Sequence, residues 1–171
     1  MSLDSLHYDL CDGIKSTLNN HADLSSLAFS VRKKPYKRGR EFVSGGTVCP
    51  FGMAPYGDHE NIRYELNFKV LVTVAFPSDG DLVSNIVSHV GAIELVHRIF
   101  HNKSHGFMPA TLRGVNTTWS TRFGANKPTL EKTTTEPHTV FVDPAFEGNW
   151  DVCAVVLYCN VLMPRLDYSS L

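Results

Sequence analysis

Residues 64–76, YELNFKVLVTVAF, decide the fold because large apolar side chains occupy every second position of this stretch. The apolar positions of one parity are Tyr64, Leu66, Phe68, Val70, Val72, Val74 and Phe76. A period of two predicts a β-strand with one strongly apolar face. The other parity begins with Glu65, Asn67 and Lys69 and then turns apolar. We therefore expect the first half of that face to be solvated and the second half to be covered.

The residues after this strand predict a turn and then a helix. A turn is expected over 77–80, and Asp81 can cap the N-terminus of a helix that runs to about Asn102. The apolar side of that helix comprises Leu82, Val83, Ile86, Val90, Ile93, Val96 and Phe100. The strand and the helix together form the scaffold of the predicted domain.

Three more segments complete the predicted fold. Leucine and isoleucine recur at steps of three and four over 3–18, which predicts a helix that Ser2 could cap, and 27–31 is typical of a short strand. Residues 152–162, VCAVVLYCNVL, are apolar at both parities, as expected of a central strand. The sequence therefore predicts a single α+β domain over 1–171, with a mostly antiparallel sheet packed by two helices in the order α-β-β-β-α-β.

Two long segments lack any such period, and they predict an irregular arm over 32–61 and a long loop over 103–138. Loops of that length are usually functional or disordered. The arm begins with a basic cluster formed by Arg32, Lys33, Lys34, Lys37, Arg38 and Arg40. Because 16 basic and 17 acidic residues nearly cancel over the whole chain, any affinity for a phosphate backbone must be local to this arm. The alternatives are contact with an acidic protein surface and a merely solvated loop.

Both irregular segments carry large apolar side chains of the kind that anchor protein interfaces. They are Phe51, Met53, Tyr56, Phe107, Met108, Trp119 and Phe123. The alternative is local packing of these side chains beneath the loops. Glu65, Asn67 and Lys69 mark the end of the long strand at which we expect a neighbouring subunit to pack.

No catalytic apparatus is predicted. His97, His101 and His105 recur at helical spacing with Glu94 nearby, but the predicted strands offer no matching metal ligands, so a flank of an amphipathic helix is the favoured interpretation. Cys11, Cys49, Cys153 and Cys159 show no CxxC pairing, which indicates reduced and mostly buried thiols. No nucleophile or phosphate-loop motif is present, and we expect no cofactor, no metal and no membrane partner.

In element order, the chain resembles the tail terminator and tail-completion proteins of tailed bacteriophages. The resemblance rests on the segments LDSLHYDLCDGIKSTLNNH, LAFSV, YELNFKVLVTVAF, DLVSNIVSHVGAIELVHRIF and WDVCAVVLYCNVL. It implies a structural subunit without catalytic residues that forms a hexameric ring at the head-proximal end of the tail. Such a ring would contact the tail tube protein and the neck proteins, with DNA passing through its channel, in a virion assembled in the host cytoplasm.

Other functions stay open at this point. A head-closure or another neck protein would fit the same resemblance. A small nucleic-acid-binding module would act through residues 32–40, and a small metal-dependent hydrolase would act through Glu94, His97 and His101.

Overall fold

The computed structural model describes residues 2–34, 43–58, 64–77, 82–138 and 150–164. Its helices are α1 (Leu3–Asn20), α2 (Leu82–Phe100) and α3 (Ala110–Phe123). Its strands are β1 (Ser30–Val31), β2 (Gly45–Asp58), β3 (Tyr64–Pro77), β4 (Lys103–Ser104), β5 (Thr129–His138) and β6 (Trp150–Met163). Short 3-10 turns lie at Ser25–Leu27, His105–Phe107 and Gly124–Asn126.

The described strands form one sheet in the order β1-β2-β3-β6-β5-β4. All neighbours are antiparallel except β1 and β2, which are parallel. The two most apolar strands, β3 and β6, lie at the centre and pair without interruption from Tyr64 opposite Met163 to Pro77 opposite Trp150. The predicted α+β class with a mostly antiparallel sheet is confirmed.

All three helices contribute to one core on the same side of the sheet, which we call the helix face. That core includes Leu6, Leu10, Ile14, Leu18, Phe68, Val70, Val72, Val96, Phe100, Leu112, Trp119, Val155, Leu157 and Val161. The β3 members have the parity that the sequence predicted as apolar. Full burial of one such side chain contributes about 1.5–3 kcal/mol, so this layer supplies most of the packing energy.

The opposite side, which we call the second face, changes character along β3 as predicted. Glu65, Asn67 and Lys69 are half-buried, whereas Leu71 packs in a small buried cluster with Cys49, Ala154, Val156 and the partly buried Tyr158. The rings of Phe51 on β2 and His138 on β5 meet edge to face at 5.0 Å.

The ring contact between Phe51 and His138 crosses the second face. Two strands, β3 and β6, separate β2 from β5, a distance of about 14 Å at the usual strand spacing. His138 lies opposite Ala154, whose side chain belongs to the second-face cluster. The two rings therefore reach toward each other over the central strands.

The structure corrects the prediction of two helices and a long loop over 103–138, because this range contains α3 and β5. Only Leu112, Val115 and Trp119 are buried on α3, and threonine, glycine and asparagine at other positions lower its intrinsic helix propensity. The buried positions of β5 include the polar residues Thr133 and Thr135, so β5 lacks the apolar alternation that identifies a strand in a sequence. The predicted irregular arm over 32–61 likewise contains β2, a strand that includes prolines and glycines.

Helix α3 is held against α1 by close packing and by one carboxylate. A Cβ added to Gly13 would lie 2.8 Å from Cγ2 of Val115, so the two helices approach closely at this glycine. Asp9 Oδ2 accepts hydrogen bonds from Trp119 Nε1 at 2.8 Å and from Arg122 Nη1 at 2.8 Å. These contacts stabilise a helix that its local sequence does not strongly favour.

Two asparagines attach helices to extended backbone in the same way. Asn19 on α1 donates from Nδ2 to the Phe29 carbonyl at 2.9 Å and accepts from the Phe29 N–H at 2.8 Å. Asn116 on α3 donates to the Leu130 carbonyl at 3.1 Å and accepts from the Leu130 N–H at 2.7 Å. Each side-chain amide thus pairs with one backbone residue as a neighbouring strand would.

The predicted boundaries differ from the observed ones by a few residues. Helix α1 begins at Leu3 and ends at Asn20, and Ser2 makes no side-chain capping bond. The short strand expected over 27–31 is limited to Ser30–Val31. The proposed cap Asp81 lies outside the described residues.

Candidate functional site

The second face ends in a polar recess that residues from β3, β5 and β6 form together. Its volume is about 290 Å³, and it is lined by Glu65, Asn67, Glu131, Lys132, Thr134, Tyr158 and Asn160. The strand register brings these residues together, because Asn160 lies opposite Asn67 on one side and opposite Lys132 on the other. Two of the three residues predicted for a subunit contact, Glu65 and Asn67, therefore line this recess.

Hydrogen bonds organise the floor of the recess. Asn160 is almost completely buried, and its Nδ2 donates to Glu65 Oε2 at 3.1 Å and to Asn67 Oδ1 at 3.5 Å. A buried amide whose donors are used in this way holds its neighbours in fixed positions. These hydrogen bonds fix the positions of three of the polar residues that line the recess.

Lys69 and Tyr158 form the boundary between the recess and the apolar part of the second face. Lys69 Nζ lies 5.7 Å from the centroid of the Tyr158 ring, within the range of a cation–π contact. The Tyr158 hydroxyl donates to Glu136 Oε2 at 2.8 Å. This hydrogen bond, more than burial, raises the pKa of Tyr158.

Sequence reasoning missed Tyr158 and Asn160. They are two residues apart in the otherwise apolar strand β6, so they lie on the same face. That spacing was the available signal, because polar side chains at one parity near the end of a central strand indicate a face that changes from apolar to polar. Glu131 and Lys132 were missed because their segment was predicted as a loop.

The pairing of β2 with β3 contains a register shift next to Lys69. Pro50 pairs with Val70 and Gly52 pairs with Lys69, so Phe51 is the additional residue of a β-bulge. His7 on α1 donates from Nε2 to the Lys69 carbonyl at 2.8 Å. Burial lowers the pKa of His7, although the bond to this carbonyl acts in the opposite direction. The neutral imidazole thus ties α1 to the strand that carries the recess.

The predicted interface anchors divide into exposed and buried groups. Phe107 is 83% exposed, Met53 is 44% exposed and Phe51 is 37% exposed, so these three are accessible. Phe123 is partly buried against the core. The side chain of Tyr56 lies outside the described part of the structure.

Met108 and Trp119 cannot be interface anchors in this fold, which corrects the prediction. Met108 is 3% exposed and Trp119 is fully buried. The physical reason is that α3 forms where a loop was expected, and it turns Trp119 into the helix-face core. The alternative interpretation, packing of large side chains within the domain, holds for these two residues.

The basic arm is only partly described. The Arg32 N–H donates to the Val48 carbonyl at 2.8 Å, which extends the attachment of β1 to β2. Lys33 and Lys34 follow and are exposed. Lys37, Arg38 and Arg40 lie outside the described residues, so the predicted basic cluster is described only at Arg32, Lys33 and Lys34.

Two histidines at the C-terminal end of α2, His97 within the helix and His101 just after it, contact Thr135 of β5. Nδ1 of His97 and Nδ1 of His101 lie 2.5 Å and 3.2 Å from Thr135 Oγ1. Their rings stack with centroids 4.3 Å apart, and the Thr135 hydroxyl occupies the point that the two Nδ1 atoms share. Glu94 pairs with Arg98. Within the described residues, no group of three or more histidine, cysteine, aspartate or glutamate side chains is placed to hold a metal ion.

The four cysteines are free thiols in apolar surroundings. Cys11, Cys49 and Cys159 are buried, and Cys153 is half-buried. Burial raises the pKa of all four, to about 11 for Cys49. Thiols with raised pKa values are protonated at neutral pH and are poor nucleophiles.

None of the described helices combines the length and the apolar character needed to span a membrane. No protein-family model matches the sequence, and no curated protein is similar enough to match it.

Proposed function

We propose that this chain is a non-enzymatic structural subunit of a bacteriophage particle, a tail terminator that forms a ring at the head-proximal end of the tail. The element order that resembles that family supports the proposal. The observation that carries it furthest is the polar recess on the second face. The exposed aromatic side chain of Phe51 beside a recess lined by amide, hydroxyl and charged groups matches the apolar centre and polar rim of a protein contact surface.

In this proposal the second face contacts a neighbouring copy of the chain, and the ring is a hexamer. The contact uses the β3 residues Glu65, Asn67 and Lys69 together with Tyr158 and Asn160. The exposed side chain of Phe51 adds apolar area on β2 of this face, and Phe107 is available to the tail tube or the neck proteins. Met53 lies opposite Phe68, so its side chain has the parity of the helix face and lies outside this contact. The helix face takes no part, because its side chains form the core.

Mass measurement and negative-stain imaging of the purified chain test this proposal. A closed ring of defined size is expected, and Lys69→Glu should dissociate it because it reverses the charge at the centre of the contact. Lys127→Glu makes the same charge change at an exposed position on the connection between α3 and β5, and it should leave the ring intact. A strictly monomeric chain at every concentration, which also fails to join a larger particle, would contradict the proposal.

A nucleic-acid-binding module is the second candidate, and the exposure of Lys33 and Lys34 at the start of the basic arm favours it. Binding of the isolated chain to duplex DNA should then weaken steeply with salt. The double substitution Lys33→Glu and Lys34→Glu should reduce that binding and its salt dependence. No binding at low salt would remove this candidate.

A further inference from the structure

Strand β5 lies near one edge of the sheet and has a composition that favours further strand pairing. Its sequence, TLEKTTTEPH, contains four threonines, and β-branched residues fit the surface of a sheet well. One side of β5 pairs with β6 over most of its length. On the other side, β4 pairs only at Thr133 and Lys132. A long edge with unpaired backbone groups is a template for a strand from another molecule.

The outward positions of β5 follow from its pairing pattern. Successive residues of a strand direct their backbone N–H and C=O groups to alternate edges. The register shift between Leu130 and Lys132 inserts one residue, so the positions that face away from β6 are Leu130, Thr133, Thr135 and Pro137. Leu130 and Thr135 belong to this set because their backbone groups bond side chains that are not on β6.

Side chains from α3 and from the residue after α2 bond three of the outward backbone groups that β4 does not reach. Asn116 on α3 bonds both the N–H and the C=O of Leu130. His101, the residue that follows α2, accepts the Thr135 N–H at Nδ1, at a distance of 3.4 Å. Pro137 has no N–H to offer. Each of the four successive outward positions is therefore paired with β4, bonded to a helix side chain or occupied by proline.

We propose that Asn116 and His101 close the outer edge of β5 against a strand from a second copy of this chain. The side-chain amide of Asn116 makes the two hydrogen bonds that a neighbouring strand would make at Leu130. Neither the pairing with β4 nor Pro137 protects this position. The partner that this edge would accept is an extended segment of like chemistry, which a second copy provides. This inference does not depend on the proposed ring, because it concerns strand addition at β5 and not contact through the second face.

The substitution Asn116→Ala tests the proposal, with Asn19→Ala as its matched control. Both variants lose two hydrogen bonds between an asparagine amide and one backbone residue. Only Asn116→Ala exposes backbone groups on a long strand, the ten-residue β5. Asn19 bonds Phe29, which precedes the two-residue strand β1, so Asn19→Ala exposes no long strand edge. In sedimentation at increasing concentration, Asn116→Ala should associate beyond the wild-type assembly, with an association constant about tenfold higher or more. Asn19→Ala should keep the wild-type distribution.

Hydrogen exchange at Leu130 gives an independent measurement. In the wild type, this amide should be protected at every concentration. In Asn116→Ala, it should exchange quickly when dilute and regain protection as concentration rises, because the second copy then pairs with it. His101→Ala should produce the same behaviour at the Thr135 amide, and it serves if Asn116→Ala does not fold. Wild-type size together with an unprotected Leu130 amide at high concentration would overturn the proposal, as would equal association of Asn19→Ala.

Discussion

The two faces of the sheet differ in the way that their side chains are buried. On the helix face, α1, α2 and α3 form one continuous core with β3, β6 and their neighbours. On the second face, a four-residue buried cluster lies next to a polar recess, and the contacts run between strands. Substitutions on the helix face should therefore change the stability of the domain, whereas substitutions on the second face should mainly change what the domain binds.

Trp119→Ala should give the largest effect, because it removes the largest fully buried side chain of the helix face. We expect the free energy of unfolding to fall by about 3–5 kcal/mol, the usual cost of truncating a buried aromatic residue. The substitution also removes the bond from Trp119 Nε1 to Asp9. Chemical denaturation measures the change.

Phe107→Ala is the matched control, since Phe107 is 83% exposed. Its effect on the free energy of unfolding should stay within about 0.5 kcal/mol. Equal losses for the two variants would contradict the assignment of Trp119 to the core and of Phe107 to the surface.

Gly13→Ala should give the second-largest effect. The new Cβ would lie 2.8 Å from Cγ2 of Val115, and valine is stiff at χ1, so α1 and α3 must separate. Overpacking of this kind costs about 1–3 kcal/mol, which exceeds the gain of up to about 1 kcal/mol from replacing a helical glycine by alanine.

Gly114→Ala makes the same chemical change on α3, where a Cβ would meet nothing within 4 Å. This variant should be more stable than the wild type by up to about 1 kcal/mol. The melting temperatures of the two variants should therefore move in opposite directions. A higher melting temperature for Gly13→Ala would contradict this prediction, because it would show that α1 and α3 can separate without loss of stability.

His7 should give a smaller, pH-dependent effect. Burial holds its folded-state pKa below 6.5, so the unfolded chain binds more protons as the pH falls below that value. The contribution of neutral His7 to stability is complete above pH 6.5 and is lost as the pH falls from 6.5 through the lowered pKa. His7→Leu should flatten this part of the stability profile, measured by denaturation at a series of pH values. An unchanged pH slope in the variant would contradict this role for His7.

Tyr158→Phe on the second face should give the smallest effect on stability. It removes one surface hydrogen bond to Glu136, and we expect the free energy of unfolding to change by about 0.5 kcal/mol or less. The raised pKa of Tyr158 gives a more specific measurement. The difference in ultraviolet titration between the wild type and Tyr158→Phe should show that Tyr158 ionises above its ordinary pKa, and Glu136→Gln should move that pKa back toward its ordinary value. A titration that does not change with Glu136→Gln would exclude this hydrogen bond as the cause.

Continuous local patterns explain what could be predicted of the fold and of the candidate site. The alternation over 64–76 predicted β3 and also the change along its second face, from half-buried Glu65 to buried Leu71. It therefore singled out Glu65 and Asn67, which the structure shows among the residues that line the recess. The pattern could not supply Tyr158 or Lys132, because their proximity depends on which strands become neighbours in the sheet.

Helices α1 and α2 and strands β3 and β6 could be predicted from the sequence, because each of them carries an apolar pattern that is complete within one segment. The formation of α3 and β5 depends on tertiary contacts, because the residues that stabilise them are distant in the chain. Trp119 and Asp9 are separated by 110 positions, and Thr133 reaches the Phe100 carbonyl across 33. A helix or strand that depends on such contacts has no strong local signal, so its side chains were expected on the surface and are found in the core.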